Sequence, residues 1–223
     1  MLGHALLRSW LLMVFLLPLA TGPSMAAWSL DAERCYAVAD EPGAAIQYCN
    51  LALEDSGLSA TDRAALLSNR GTSYTALGAF EKAVGDFNAS LSFDPGNAYT
   101  LNNRAVAYGW GGQYELALAD LAAAATAKPK EAMSYSNRCW LRAEMGKPSE
   151  GLADCDLALQ LNPYDAIAFA TRGYAYLKMQ EMQKAIVDAD RSVELGPACG
   201  RVIFIVAMCM RRQGAAGRQK LIF

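Results

Sequence analysis

A single histidine, His4, occurs in the 223 residues, and it falls in a leading stretch expected to be removed. Without an imidazole the working protein has no His general base, no Ser-His or Cys-His nucleophile pair and no His metal ligand. The six cysteines include no CxxC pair, which argues against a thioredoxin-like redox site and a cysteine-rich zinc site. No glycine-rich phosphate loop occurs, and charge of neither sign dominates: 20 Lys plus Arg stand against 22 Asp plus Glu, a net charge of -2. With no basic stripe to neutralise phosphates, nucleic acid is not expected as a partner. Only 8 prolines beside 53% hydrophobic residues exclude a wholly disordered chain. No metal and no cofactor is expected, and no catalytic residue is assigned.

What is present begins with an export signal over residues 1–26. Arg8 is the one charge ahead of an apolar stretch from Trp10 to Ala20, and small residues follow at Ser24 and Ala26, flanking Met25. This pattern is that of a secretory signal peptide, with Ala27 as the mature start. The apolar stretch is about half the roughly 20 residues a bilayer span requires, so an uncleaved anchor is the weaker alternative. A periplasmic location is expected, with secretion as the alternative. All six cysteines lie beyond residue 26, in a compartment where oxidised thiols persist, so disulfides are the default. Past Glu194 no acid occurs, while Arg201, Arg211, Arg212, Arg218 and Lys220 follow, so an acidic body is joined to a basic tail.

Offsetting the chain against itself by 34 residues brings Pro95, Pro129, Pro163 and Pro197 into register. The same offset aligns Arg70, Arg104, Arg138 and Arg172; Asp86, Asp120, Asp154 and Asp188; and the small residues Ala83, Ala117, Gly151 and Ala185. Within one period, Leu67, Gly71, Tyr74 and Leu77 form a helical stripe that Gly78 ends. A second stripe through Phe80, Ala83, Val84, Phe87 and Leu91 stops at Asp94, Pro95 and Gly96, giving two helices of roughly 14 residues. The repeating unit is a helical hairpin whose small residues let two backbones approach.

The spacing of Leu67, Gly71, Tyr74, Gly78, Ala83, Phe87 and Pro95, and of Leu101, Ala105, Tyr108, Gly112, Tyr114, Ala117, Leu121, Ala124 and Pro129, resembles the tetratricopeptide repeat. A third unit keeps Tyr135, Gly146, Ala158 and Pro163 but has Cys139, Arg142, Gly151 and Cys155 where the pattern prefers Gly, Tyr, Ala and Phe. A fourth keeps Phe169, Gly173, Tyr176, Ala185 and Pro197. The resemblance implies an all-α solenoid, a right-handed superhelix of stacked antiparallel helix pairs. Its divisions are an N-terminal capping hairpin over 27–63, units over 64–97, 98–131, 132–165 and 166–198, and a partial unit or capping helix with a basic tail over 199–223. In that tail Val202 to Met210 is apolar on every side, which suits packing against another surface or peripheral membrane contact through residues 200–223.

Each Arg of the ladder precedes its Asp by 16 residues, so a bidentate pair should tie each first helix to its own or an adjacent second helix. Cys139 and Cys155 take the inward positions held by Gly71 and Phe87, and a disulfide is expected there. Cys35 and Cys49 are expected to bridge the N-terminal hairpin. Cys199 and Cys209 are left unpaired, being too far apart on one straight helix.

The resemblance further implies a concave groove lined by the first helices. Its positions here hold Ser68, Asn69, Thr72, Tyr99, Asn102, Asn103, Val106, Trp110, Met133, Ser136, Asn137, Trp140, Glu144, Ile167, Tyr174 and Lys178. Asn69, Asn102, Asn103 and Asn137 can donate to and accept from a peptide backbone, and Tyr99, Trp110, Trp140 and Tyr174 offer flat apolar area. The alternative is that the Asn series holds the helices together and the aromatics are core. Some relatives grip a C-terminal carboxylate with first-helix Lys, and the first helices of the first three units contain none. The expected function is a non-enzymatic scaffold of the bacterial cell envelope that binds a peptide segment or helix of another protein. An accessory acting through its cysteines and a membrane-surface assembly factor are the alternatives.

Overall fold

The computed structural model describes residues 30–37 and 41–196. The export signal, the cleavage point, Pro197, Cys199, Cys209 and the basic tail lie outside the described residues. Those described form helices α1 (Leu30–Ala37), α2 (Pro42–Leu53), α3 (Ala60–Ala76), α4 (Phe80–Phe93), α5 (Ala98–Trp110), α6 (Tyr114–Ala127), α7 (Ala132–Glu144), α8 (Pro148–Leu161), α9 (Ala166–Lys178) and α10 (Met182–Leu195). Among them there is no strand, and no helix is long and apolar enough to cross a membrane. The molecule is an all-α solenoid: α1/α2, α3/α4, α5/α6, α7/α8 and α9/α10 are hairpins, and each first helix from α3 onward also packs on the preceding second helix.

Local chemistry sets the helix ends. Ser59, Asn97 and Asp165 cap α3, α5 and α9 by accepting hydrogen bonds from the amides of Asp62, Thr100, and Ile167 and Ala168. The Ser59 cap starts α3 at Ala60, four residues earlier than the 34-residue register alone places the unit. Each of the four full hairpins turns through one residue in the left-handed region: Gly78, Gly112 and Gly146, with φ of 74°, 75° and 76°, and then Gln180 with φ of 64°. The amides of Ala79, Gln113, Lys147 and Glu181 close the turns by donating to the carbonyls of Tyr74, Tyr108, Arg142 and Tyr176. Six-to-one bonds of this type satisfy carbonyls that a helix end would leave bare.

Ala83, Ala117, Gly151 and Ala185 are buried where the two helices of a hairpin meet. Each ladder arginine grips the aspartate of its own hairpin through two hydrogen bonds; Nε and Nη2 of Arg104 lie 2.7 Å from the two oxygens of Asp120. The Nη1 donor of Arg70, Arg104 and Arg172 reaches back to the preceding second helix, to Asn50, Asn88 and Asp156 at 2.7, 2.6 and 2.8 Å. Own and adjacent helix are therefore both engaged, and one guanidinium joins three helices. These carboxylates hold the guanidinium pKa values above their ordinary level.

The structure joins Cys35 to Cys49, across α1 and α2, and Cys139 to Cys155, across α7 and α8. All four cysteines are buried. Each bridge closes a loop of about 15 residues, worth roughly 3 kcal/mol by the chain-entropy relation.

Candidate partner-binding groove

The first helices α3, α5, α7 and α9 stand side by side, since α3 touches α5, α5 touches α7 and α7 touches α9. A groove of about 1080 Å³ crosses all four. Thr72 on α3, Asn103, Val106 and Trp110 on α5, Met133 on α7 and Ile167 on α9 line it. Trp110 is 49% exposed, and Met133 and Ile167 are also exposed. The loops that precede α7 and α9 add Lys130, Glu131, Asn162 and Asp165. An apolar strip is thus flanked by groups of both charges and by side-chain amides, the composition of a surface that takes up a peptide.

The expected groove residues divide into two groups. Asn103 and Trp110 line the groove, and the Asn103 amide donates weakly to the Thr72 hydroxyl at 3.4 Å. Tyr99 is exposed nearby, with the Lys128 ammonium 4.1 Å from its ring centre and its hydroxyl donating to Glu131 at 3.4 Å. The other group belongs to the seam between first helices. Asn102 is 0% exposed. Its amide donates to the Ala98 carbonyl at 2.9 Å and the Ser134 hydroxyl at 3.0 Å, and its oxygen accepts from Asn137 at 3.3 Å. Asn102 is therefore a structural link from α5 to α7 rather than a ligand contact. Asn137 reaches the groove floor but is buried, with its amide committed to Asn102.

Trp140 and Tyr174 are likewise corrected from groove surface to core. The indole of Trp140 lies against Gly109, where a Cβ would sit 2.8 Å from the ring. Its centre is 5.0 Å from that of Trp110, which is seated upon it at 46°. A tilted pair of this kind fixes the exposed indole at little further entropic cost. The Tyr174 hydroxyl donates to Glu144 at 2.6 Å. Burial first, and then Glu144, push its pKa well above the ordinary tyrosine value. Asn69 does not line the groove; its amide nitrogen is buried without a hydrogen-bond partner. Asn102, Asn137, Trp140 and Tyr174 thus lie in the seam and the core, whereas Asn103 and Trp110 lie on the groove surface.

Lys130, Glu131, Asn162 and Asp165 escaped the reading of the sequence, which assigned only helix positions to the groove. Their signal was their place beside Pro129 and Pro163, in the loops that deliver each first helix. Among the described residues no group of three or more His, Cys, Asp or Glu could hold a metal ion.

No family model and no curated protein matches the chain. Solved structures do. TTC0263, a thermophilic tetratricopeptide repeat protein of Thermus thermophilus, is 18% identical with a TM-score of 0.68, over 81% of this chain and 95% of that one. MamA from Desulfovibrio magneticus, from residue 41 to its end, is 19% identical with a TM-score of 0.54, over 76% and 97%. A further MamA structure is 16% identical with a TM-score of 0.53, over 71% and 90%. At these identities the shared property is the fold, the solenoid of tetratricopeptide repeats.

Proposed function

We propose that this solenoid is a non-enzymatic scaffold of the bacterial cell envelope, exported to the periplasm, that holds a segment of another protein in its concave groove. The observation that supports the reading is the groove itself. Exposed Trp110, Met133 and Ile167 lie along one channel with Asn103 and Thr72. An apolar anchor of the partner would seat on Trp110, which the buried Trp140 holds in place, while Asn103 meets main-chain polar groups. Lys130, Glu131 and Asp165 give the channel charges of both signs for setting direction. Both bridges lie in the hairpin interiors, out of reach of a partner's thiol, which works against the alternative of an accessory acting through its cysteines.

The test is affinity capture from envelope extract with the purified protein, beside a double variant Asn103→Ala and Trp110→Ala. Both side chains face the groove, so the variant should keep its circular dichroism spectrum and recover the partner at least about tenfold less well, one hot-spot contact being worth that much. Equal recovery by the two proteins would rule the groove out.

A further inference from the structure

The α9/α10 hairpin ends the described stack with a face that is covered in α4 and α8. In α4, Leu91 is 8% exposed because it packs with Ala98, Leu101 and Ala124 of the following hairpin. In α8, Leu159 is 9% exposed and packs with Ala168 of α9. The residue at the same register in α10 is Val193, which is 54% exposed. The hydroxyl of Ser192 meanwhile donates to the Ala166 carbonyl at 2.6 Å, so the chain leaves α10 beside the start of α9. The α3/α4 hairpin leaves its second helix in the same way: Ser90, at this register in α4, donates to the Ala64 carbonyl at 2.8 Å.

The sequence carries the 34-residue register past this point. Pro197 aligns with Pro163, and Gly214 aligns with the turn positions Gly78, Gly112 and Gly146. Between them Ile203 takes the place of Leu101, Tyr135 and Phe169, Ala207 that of Ala105, Cys139 and Gly173, and Cys209 that of Ala107, Leu141 and Ala175. All three residues in the last series are 0% exposed. The place of the ladder arginine is taken by Val206, so this segment would be held by apolar contact alone.

We propose that residues 200–214 dock on the open face of the α9/α10 hairpin, over Val193, as each first helix docks on the hairpin before it. The occupant is this chain's own segment rather than a second copy or a lipid surface. The apolar run from Val202 to Met210 then has a protein surface to cover, and it joins the core through the same register positions that bury Leu101 and Leu141.

Cys199 and Cys209 report on this docking directly. Cys199 aligns with Asp165, Glu131 and Asn97, which are half-buried residues at helix starts, whereas Cys209 aligns with the fully buried series. Maleimide labelling of the purified chain with its bridges intact should modify Cys199 promptly and Cys209 at least about tenfold more slowly, because labelling requires the segment to open. Val193→Asp should bring Cys209 up to the rate of Cys199. Val187→Asp, at the register of the exposed Gly85, Ala119 and Ala153, should leave it protected, which controls for a general loss of stability. Equal rates in the unaltered chain, or a disulfide between Cys199 and Cys209, would overturn the proposal. So would protection of Cys209 that rises with protein concentration or appears only with vesicles containing anionic lipid.

Discussion

The hairpins α3/α4 and α7/α8 have one frame and two interiors. In α3/α4 the two helices meet through Gly71 and Phe87; a Cβ at Gly71 would come within 2.8 Å of the ring, so the phenyl fills the space a side chain would take. In α7/α8 the same register positions are Cys139 and Cys155, joined covalently. Other changes accompany the exchange. Gly151 replaces the Ala83 of the first hairpin, and a Cβ there would lie 2.9 Å from the Cys139 carbonyl oxygen. Arg142 replaces Tyr74 and donates at 2.6 Å to Asp154, which Arg138 already holds through two bonds. The turn and a bidentate Arg–Asp pair are nonetheless present in both hairpins, and the second helices are equally long. The frame is thus independent of what closes the interior, provided that something does.

The largest test of that independence removes each closure in turn. Phe87→Ala deletes a ring that is 0% exposed and should cost about 3–5 kcal/mol, the range for large aromatic truncations in a core. The double variant Cys139→Ala and Cys155→Ala should cost about 3 kcal/mol, the loop-closure value. Urea unfolding followed by circular dichroism measures both. In the Phe87→Ala protein the loss should persist whether or not reductant is present. A loss from the cysteine variant below about 1 kcal/mol would show that the α7/α8 frame holds without its bridge, making the bridge incidental.

The rungs sharpen the comparison next. Asp86 is held by one arginine, whereas Asp154 is held by Arg138 and Arg142. Arg138 also lacks the rearward amide that Asn88 gives Arg104, because Ala122 stands at that register, and its bonds to Asp154 lie within its own hairpin. Asp154→Ala leaves Arg138 without its carboxylate and Arg142 with only the Glu150 carbonyl, and should cost about 3 kcal/mol, near the lower end for breaking a buried pair. Asp86→Ala orphans one guanidinium that keeps its bond to Asn50, and should cost visibly less in the same unfolding experiment. Equal losses would mean that the second arginine adds nothing.

The parts legible in the sequence are those that repeat. Hairpins, turns, the arginine ladder and the small residues at the helix crossing recur at 34 residues, because each answers to contacts inside one unit or between identical neighbours. The seam between first helices does not repeat in this way. Asn102 meets Ser134, 32 residues on, and Asn137, 35 residues on, since the rotation from one unit to the next decides which side chains face each other. That rotation is a tertiary property, and it turned Asn102 and Trp140 inward while Asn103 and Trp110 stayed in the groove. One clue was present: Gly109 stands where the other units have Thr75, Ala143 and Leu177, and the vacated volume is where the Trp140 ring lies.

The smallest expected effect concerns the turn that both hairpins share. Gly78 and Gly146 adopt left-handed backbone without penalty, but in the last hairpin Gln180 holds φ of 64° with a Cβ in place. An L-residue in that region costs about 1–2 kcal/mol, of which a glycine recovers part and returns part by loosening the unfolded chain. Gln180→Gly should therefore stabilise the protein by about 0.5–1 kcal/mol. Gly146→Ala should destabilise it by a similar amount, since it imposes on the third hairpin the strain the fourth already bears. Thermal unfolding of the two variants, one raising and one lowering the midpoint, would show that the turn is a frame element with a fixed cost at either site. If Gln180→Gly left the midpoint unchanged, the side chain of Gln180 would have to be supplying compensating contacts, and the equivalence of the turns would fail at the fourth hairpin.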